Sequence, residues 1–192
     1  MAEFPSTRAS LVVRLRDRLD ESAWREFVCL YAPVVYRFAR RRGLQDADAA
    51  DLTQEVLRSV SASVGLFDPG KGLFRSWLFT LAHHRLYDWQ QSRQRQAVGD
   101  QATVQFLNDV PAKDDEAFWE TEYERQLFNL AADRIRPLLA DSTWQAFQLT
   151  AVEGKSGQEA AAALGISVAA VYLAKGRVMM KLKKEIEQLN SE

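Results

Sequence analysis

The stretch SGQEAAAALGISVAAVYLAKGRVMMKLKKEIEQL, residues 156–189, narrows the possible folds more than any other part of the chain. Ser156 followed three residues later by Glu159 has the form of a capping box, which opens a short helix over residues 158–163. Ala160, Ala161 and Leu164 are spaced to bury one side of that helix. Gly165 then supplies a tight turn, Ile166 can plug the corner, and Ser167 can cap a second, longer helix. Short helix, glycine turn and capped second helix is the sequence form of a helix-turn-helix, whose second helix enters the DNA major groove. An ordinary pair of packed helices carries the same punctuation, so this stretch alone leaves DNA binding and plain helix packing both open.

The rest of the chain has the same period. Strand signals are almost absent, and apolar residues recur in steps of three and four. A first helix is expected over residues 10–19, with Leu11, Val12, Leu15 and Leu19 on one side. Asp20 can cap a long second helix to Arg42, which Pro33 should kink or break near Leu30. A third is expected over residues 46–63 and a fourth over residues 73–93, separated by the turn FDPGKG. Between residues 96 and 115 the pattern fails, and helicity resumes over residues 116–139 and again to Val152. The fold class is therefore all-α. Two small helical domains, residues 1–95 and 116–192, are joined by a flexible acidic linker over residues 96–115.

Charge is segregated behind a net value of -1. Residues 1–45 carry nine Arg against five acids, whereas residues 96–124 carry eight acids against one Lys. Nucleic-acid binding depends on local patches, so a near-zero average does not argue against it, although it disfavours tight nonspecific binding by the free protein. The single cysteine, Cys29, excludes an internal disulfide; it fits a reducing compartment and reads as a small core residue. No signal-peptide core and no apolar run near the ~18 residues of a membrane span are present, so a cytoplasmic protein is expected, without membrane insertion.

Enzyme motifs are missing: no phosphate-binding glycine loop, no H-E-x-x-H and no cysteine pair with metal spacing. His83 and His84 are neighbours on a helix and point about 100° apart, so they cannot chelate one metal from one face. Neither catalysis nor a metal or other cofactor is expected. The fourth helix, LFRSWLFTLAHHRLYDWQQSRQR, instead mixes aromatics with an increasingly basic, amide-rich polar face. Arg75, His83, His84, Arg85, Gln91 and Arg93 could hold phosphates and base edges, and exposed aromatics could stack on unpaired bases. Trp77 is as well placed for the core as for such stacking, and for Leu81 and Trp89 the core is preferred.

The order YAPVVYRFARRRGL, DADAADLTQEVL, FDPGKGLFRSWLFTLAHHRLYDW, acidic linker and terminal helix-turn-helix resembles a bacterial RNA polymerase sigma factor. The likeness is to the sigma-70 family, in its small extracytoplasmic-function (ECF) group, and it covers nearly the whole chain. It implies a promoter-specificity subunit with two partners, core RNA polymerase (β′ clamp coiled coil and β flap) and promoter DNA. An anti-sigma factor is a common further partner in that group, and no residue here identifies one. DADAADLTQEV is similar to region 2.2, which implies that Asp48, Asp51, Gln54 and Glu55 contact the clamp, with Leu52 and Val56 behind them. These acids also suit a helix N-terminus. FRSWLFTLAHHRLYDWQQSRQR is similar to regions 2.3 and 2.4, which implies that Arg75, Trp77, His83, His84, Arg85, Asp88, Gln91 and Arg93 melt DNA and read the −10 element. Many relatives carry Arg-Asn where His83-His84 stands, so the −10 preference should differ. The acidic linker would lie in polymerase channels otherwise taken by nucleic acid.

The helix-turn-helix resembles region 4.2, the reader of the −35 element, which implies contacts from Ser167, Ala169, Ala170, Leu173, Lys175, Arg177 and Lys184. On a helical wheel Val178 and Leu182 fall within about 20° of Val171 and should face the core. The opposite side presents Ala169, Ala170, Leu173, Arg177, Met180 and Lys184, with Lys175 near the core edge. Short apolar side chains can touch thymine methyls but cannot make bidentate bonds to bases, so phosphates and DNA shape should carry much of the recognition. Gly176 costs about 1 kcal/mol relative to Ala in a helix interior, which close approach of a backbone could justify. The competing functions are a two-domain helix-turn-helix regulator acting without polymerase, and a helical adaptor that binds a partner and leaves DNA alone. Neither requires the acids of residues 48–55 beside the helix of residues 73–93.

Overall fold

The computed structural model describes residues 9–98 and 113–191, and every regular element among these is helical. Helix α1 (Ala9–Arg14) is shorter than the apolar spacing suggests. The carboxylate of Asp17 accepts from the backbone N–H of Leu19 at 2.9 Å, a local turn that competes with helix, and Leu19 is left 87% exposed rather than on the apolar side. Asp20 caps α2 (Glu21–Arg41) by accepting from Ala23 N–H at 2.9 Å.

Pro33 does not break α2, which runs continuously to Arg41. A proline at this position cannot donate to the carbonyl four residues earlier, that of Cys29. The side-chain amide of Gln126 donates to that carbonyl at 3.0 Å instead, so the freed backbone acceptor is satisfied from another helix. The Cys29 side chain is exposed, not a core residue as the apolar pattern implied.

Helix α3 spans Asp46–Ser63, and the turn after it contains a 3₁₀ segment, Pro69–Lys71, where Asp68 accepts from Gly70 N–H at 2.9 Å. Helix α4 (Phe74–Val98) and helix α5 (Lys113–Ile135) both extend into the stretch expected to be linker. The remainder of that stretch, 99–112, lies outside the described residues.

The chain divides into two compact units, residues 1–126 with 191–192 and residues 127–190. The first part of α5 thus belongs with α1–α4, whereas the sequence pattern grouped it from residue 116 onward with the C-terminal domain. Hydrophobic burial explains the grouping. Phe27, Tyr31, Val34, Val35 and Phe38 of α2, Leu52, Val56 and Val60 of α3, and Leu78, Ala82 and Leu86 of α4 form the core. Trp119 and Tyr123 of α5 complete it, fully buried: Trp119 packs on Phe38 and Phe79 at 5.7 and 5.5 Å between ring centroids, and Tyr123 stacks on Tyr31 at 5.5 Å.

In the second unit, α6 (Asp141–Phe147) runs into a π-helical turn, Gln148–Val152, before α7 (Gly157–Leu164) and α8 (Val168–Ser191). Ala146, Ala160, Ala161, Val171 and Ala174 form a small core with Leu149, Leu164 and Ile166 packed against it. Four alanines let these helices approach closely. Among the described residues no single helix is long and apolar enough to cross a membrane; α7 and α8 reach that measure only together, bent at 102°.

Candidate nucleic-acid interface

The turn between α7 and α8 is built by local chemistry. The Ser156 hydroxyl accepts from Glu159 N–H at 3.2 Å, and the Glu159 carboxylate accepts from Ser156 N–H at 2.8 Å, a closed capping box. These bonds to the charged form hold the Glu159 carboxyl below its ordinary value, the side-chain bond from Ser156 contributing most. Gly165 takes φ +64, a left-handed turn that an L side chain resists, and the Ser167 hydroxyl accepts from Ala170 N–H at 3.2 Å to start α8. The resulting angle of 102° is that of a helix-turn-helix.

Helix α8 buries Val171, Ala174, Val178 and Leu182 and exposes Ser167, Ala169, Leu173, Arg177 and Lys184, with Ala170 and Lys175 half-buried. The −35 candidates therefore lie on or at the edge of the solvent side. Tyr172 lies there too, 60% exposed, and was missed by sequence reasoning. A Cβ at Gly157 would lie 2.9 Å from the Tyr172 ring, so glycine at the start of α7 is what lets the phenol lie across it. A bulky aromatic one step from the wheel's core position was the available signal. Among the described residues nothing beyond its own helix backbone lies within 4 Å of the Cβ position of Gly176, so their packing does not account for that glycine.

In the first unit, α3 and α4 bring two candidate sets together. Asp51 and Gln54 are exposed, and Glu55 pairs with Arg58 at 2.7 Å. Asp48 reaches across to Arg93 of α4 at 2.9 Å, and the Arg93 guanidinium lies 4.7 Å above the Trp89 ring. Arg85 donates to the Ser59 hydroxyl at 2.9 Å and lies 3.6 Å from Asp88. Asp51, Glu55, Arg58, Arg85, Asp88 and Trp89 line one shallow depression. His84 is exposed and Gln91 half-buried. Leu52 and Val56 lie in the core, at 2% and 0% exposure, so they brace the acidic face and do not form it.

Two of the −10 candidates are withdrawn from the surface. Arg75 and His83 are each 2% exposed. His83 packs beside Phe79 at 6.2 Å. Arg75 lies beneath α5, with Nη1 3.0 Å from Glu120 and the guanidinium 4.5 Å above the Tyr123 ring. Neither Nε nor Nη1 of Arg75 makes a directed hydrogen bond, so charge and the ring face hold it there. Burial raises the Glu120 carboxyl above its ordinary value; Arg75 opposes this, while Glu124 and Glu116 add to it. Trp77 is half-buried against Phe67 and Phe74, at 5.6 and 5.3 Å. No spacing in the fourth helix could have shown this, because the covering helix is distant in sequence.

A capped helix-turn-helix in one helical unit, and a charged α3–α4 face with half-exposed tryptophan in another, fit a helical nucleic-acid-binding protein. Comparison with known proteins narrows this. A family model described as Sigma-70 region 2 matches residues 27–96. The RNA polymerase sigma factor CarQ of Myxococcus xanthus is 31% identical over 188 residues, covering 93% of this chain and 97% of that protein. The ECF RNA polymerase sigma factor RpoE of Cereibacter sphaeroides is 33% identical over 79 residues, which spans 41% of this chain and less than half, 44%, of that relative. The RNA polymerase sigma factor CnrH of Cupriavidus metallidurans is 28% identical over 171 residues, 85% of this chain and 86% of that protein. The solved structure of CnrH in complex with the cytosolic domain of CnrY aligns over 93% of this chain and 96% of that one, at 23% identity with a TM-score of 0.37. The chain belongs to the sigma-70 family of transcription-initiation factors, in its ECF group.

Proposed function

We propose that this chain binds core RNA polymerase and directs initiation at specific promoters, without catalysis of its own. The observation that carries the reading is the α3–α4 face, where the acids of α3 and the basic, tryptophan-bearing end of α4 share one surface joined by the 2.9 Å Asp48–Arg93 pair. Asp51, Gln54 and Glu55 would meet the β′ clamp. Asp51 and Gln54 are exposed, Glu55 lies beside them in a surface pair with Arg58, and Leu52 and Val56 hold the helix in place behind them. His84, Arg85, Asp88, Gln91 and Arg93, with Trp77 and Trp89, would face the −10 element as it opens.

The second unit would read the −35 element through α8. Arg177 and Lys184 supply phosphate contacts, and Ala169, Ala170, Leu173 and Tyr172 supply apolar contact with base edges. Leu138, 69% exposed, and Leu139 line a groove of the same unit that suits a second polymerase contact such as the β flap. The deciding experiment combines the purified protein with core polymerase on a promoter library. A sequence-specific open complex is expected; DNA binding that is unchanged by polymerase would instead make the chain a freestanding regulator.

A further inference from the structure

Residues 114–126 of α5 form an acidic, aromatic surface against an arginine-lined face of α2 and α4. Arg42 pairs with Asp115 at 2.9 Å, Arg37 with Glu122 at 2.9 Å and Arg75 with Glu120 at 3.0 Å. Arg41 lies 4.4 Å above the Phe118 ring and Arg75 4.5 Å above that of Tyr123. Beneath these lie the rings of Tyr31, Phe38, Phe74 and Phe79. Arginines spaced along a row of aromatics are the elements of a single-strand site, where guanidinium groups hold phosphates and rings stack on bases. Here acids of the same chain take the phosphate positions.

The closed arrangement is not the one that best satisfies its own groups. A guanidinium that is 2% exposed with Nε and Nη1 unbonded costs free energy, and such groups mark places where function competes with stability. Glu116, Glu120 and Glu124 follow at intervals of four on one helix, so like charges repel along the strip that holds the face closed.

We infer that the first half of α5 is an acidic plug over a single-stranded DNA site formed by Arg37, Arg41, Arg42 and Arg75, and that it masks this site in the free protein. The inference rests on the reading of the chain as a promoter-opening factor. It also accounts for Arg75, which the family resemblance assigns to promoter DNA and the fold buries. Displacing the plug exposes that residue where the strands separate.

The test compares the full chain with the variant D115N/E122Q, by hydrogen exchange and by fluorescence anisotropy on a labelled oligothymidylate. The control, D114N/E124Q, changes net charge equally at exposed positions that cut none of the three pairs. Amides of residues 116–126 should exchange on the order of tenfold faster in the first variant, those of α3 should be unchanged, and oligothymidylate should bind on the order of tenfold tighter. The control should bind as the parent does. Equal gains in both variants, faster exchange with unchanged affinity, or no change in either measurement each overturn the inference. Should the double variant lose α3 protection, D115N and E122Q decide singly: a gain of about threefold in either supports the plug, and no gain in both overturns it. Core polymerase binding by the parent is measured on the same samples. Its absence would remove the proposed function and leave the oligothymidylate comparison standing.

Discussion

Pro33 and Gln126 show how far apart cause and compensation can lie at the scale of single residues. A proline inside a helix costs roughly 3 kcal/mol in isolation, yet α2 continues because Gln126 takes up the Cys29 carbonyl. Gln126→Ala should lower unfolding stability by about 1–3 kcal/mol, read from urea midpoints at constant slope. In a Pro33→Ala background α2 can satisfy Cys29 itself, so the same substitution should cost less; an equal cost in both backgrounds would show that the amide acts elsewhere. Glu120 yields a second prediction. Its carboxyl is raised by burial, so the native state holds the proton more firmly than the unfolded chain does. That contribution is complete below the ordinary Glu value and is lost as pH rises through the folded value. Glu120→Gln should therefore flatten the fall in stability just above the ordinary carboxylate range, in urea midpoints measured against pH.

Single elements follow their sequence where the determinants are local. The capping box, the Gly165 turn and the buried stripe of α8 were all legible, because each depends on residues within one or two turns of one another. Ser156→Ala should cost about 1 kcal/mol in the stability of the second unit. Glu159, whose carboxyl is held low by the same box, supports α7 above its ordinary value and loses that support as pH falls through the lowered one. Helical content of the second unit should fall with that titration, and Glu159→Gln should remove the pH dependence. The path of α5 was not legible, because helical period shows which side is apolar but not which core receives it. Trp119 and Tyr123 read equally well as the core of either unit. The same gap misplaced Arg75: a basic residue on a polar-looking helix becomes buried only when a helix more than forty residues later lies over it.

At the scale of the whole molecule, the outer face of α3 is the place where sequence, family and geometry can be separated by experiment. Asp51 and Glu55 lie on the solvent side, while Leu52 and Val56 carry the packing. Two explanations compete for the acids, stabilisation of the α3 N-terminus and contact with polymerase. The first is limited to the opening turn, where Asp46 and Asp48 already serve it. Asp51→Arg with Glu55→Arg should therefore leave circular dichroism and the melting curve nearly unchanged. It should raise the dissociation constant for core polymerase by about 100-fold or more, since two side chains of a desolvating interface would then carry the opposite charge. Binding of the isolated protein to −35 duplex should be unaffected, because those residues are in the other unit. Arg177→Ala or Lys184→Ala gives the converse pattern. Polymerase binding is retained, promoter affinity falls alike on all sequences, and the salt slope drops by about one for each cation removed. A loss confined to one base position would make these side chains base readers instead of phosphate clamps, and would move −35 recognition from DNA shape to direct contact.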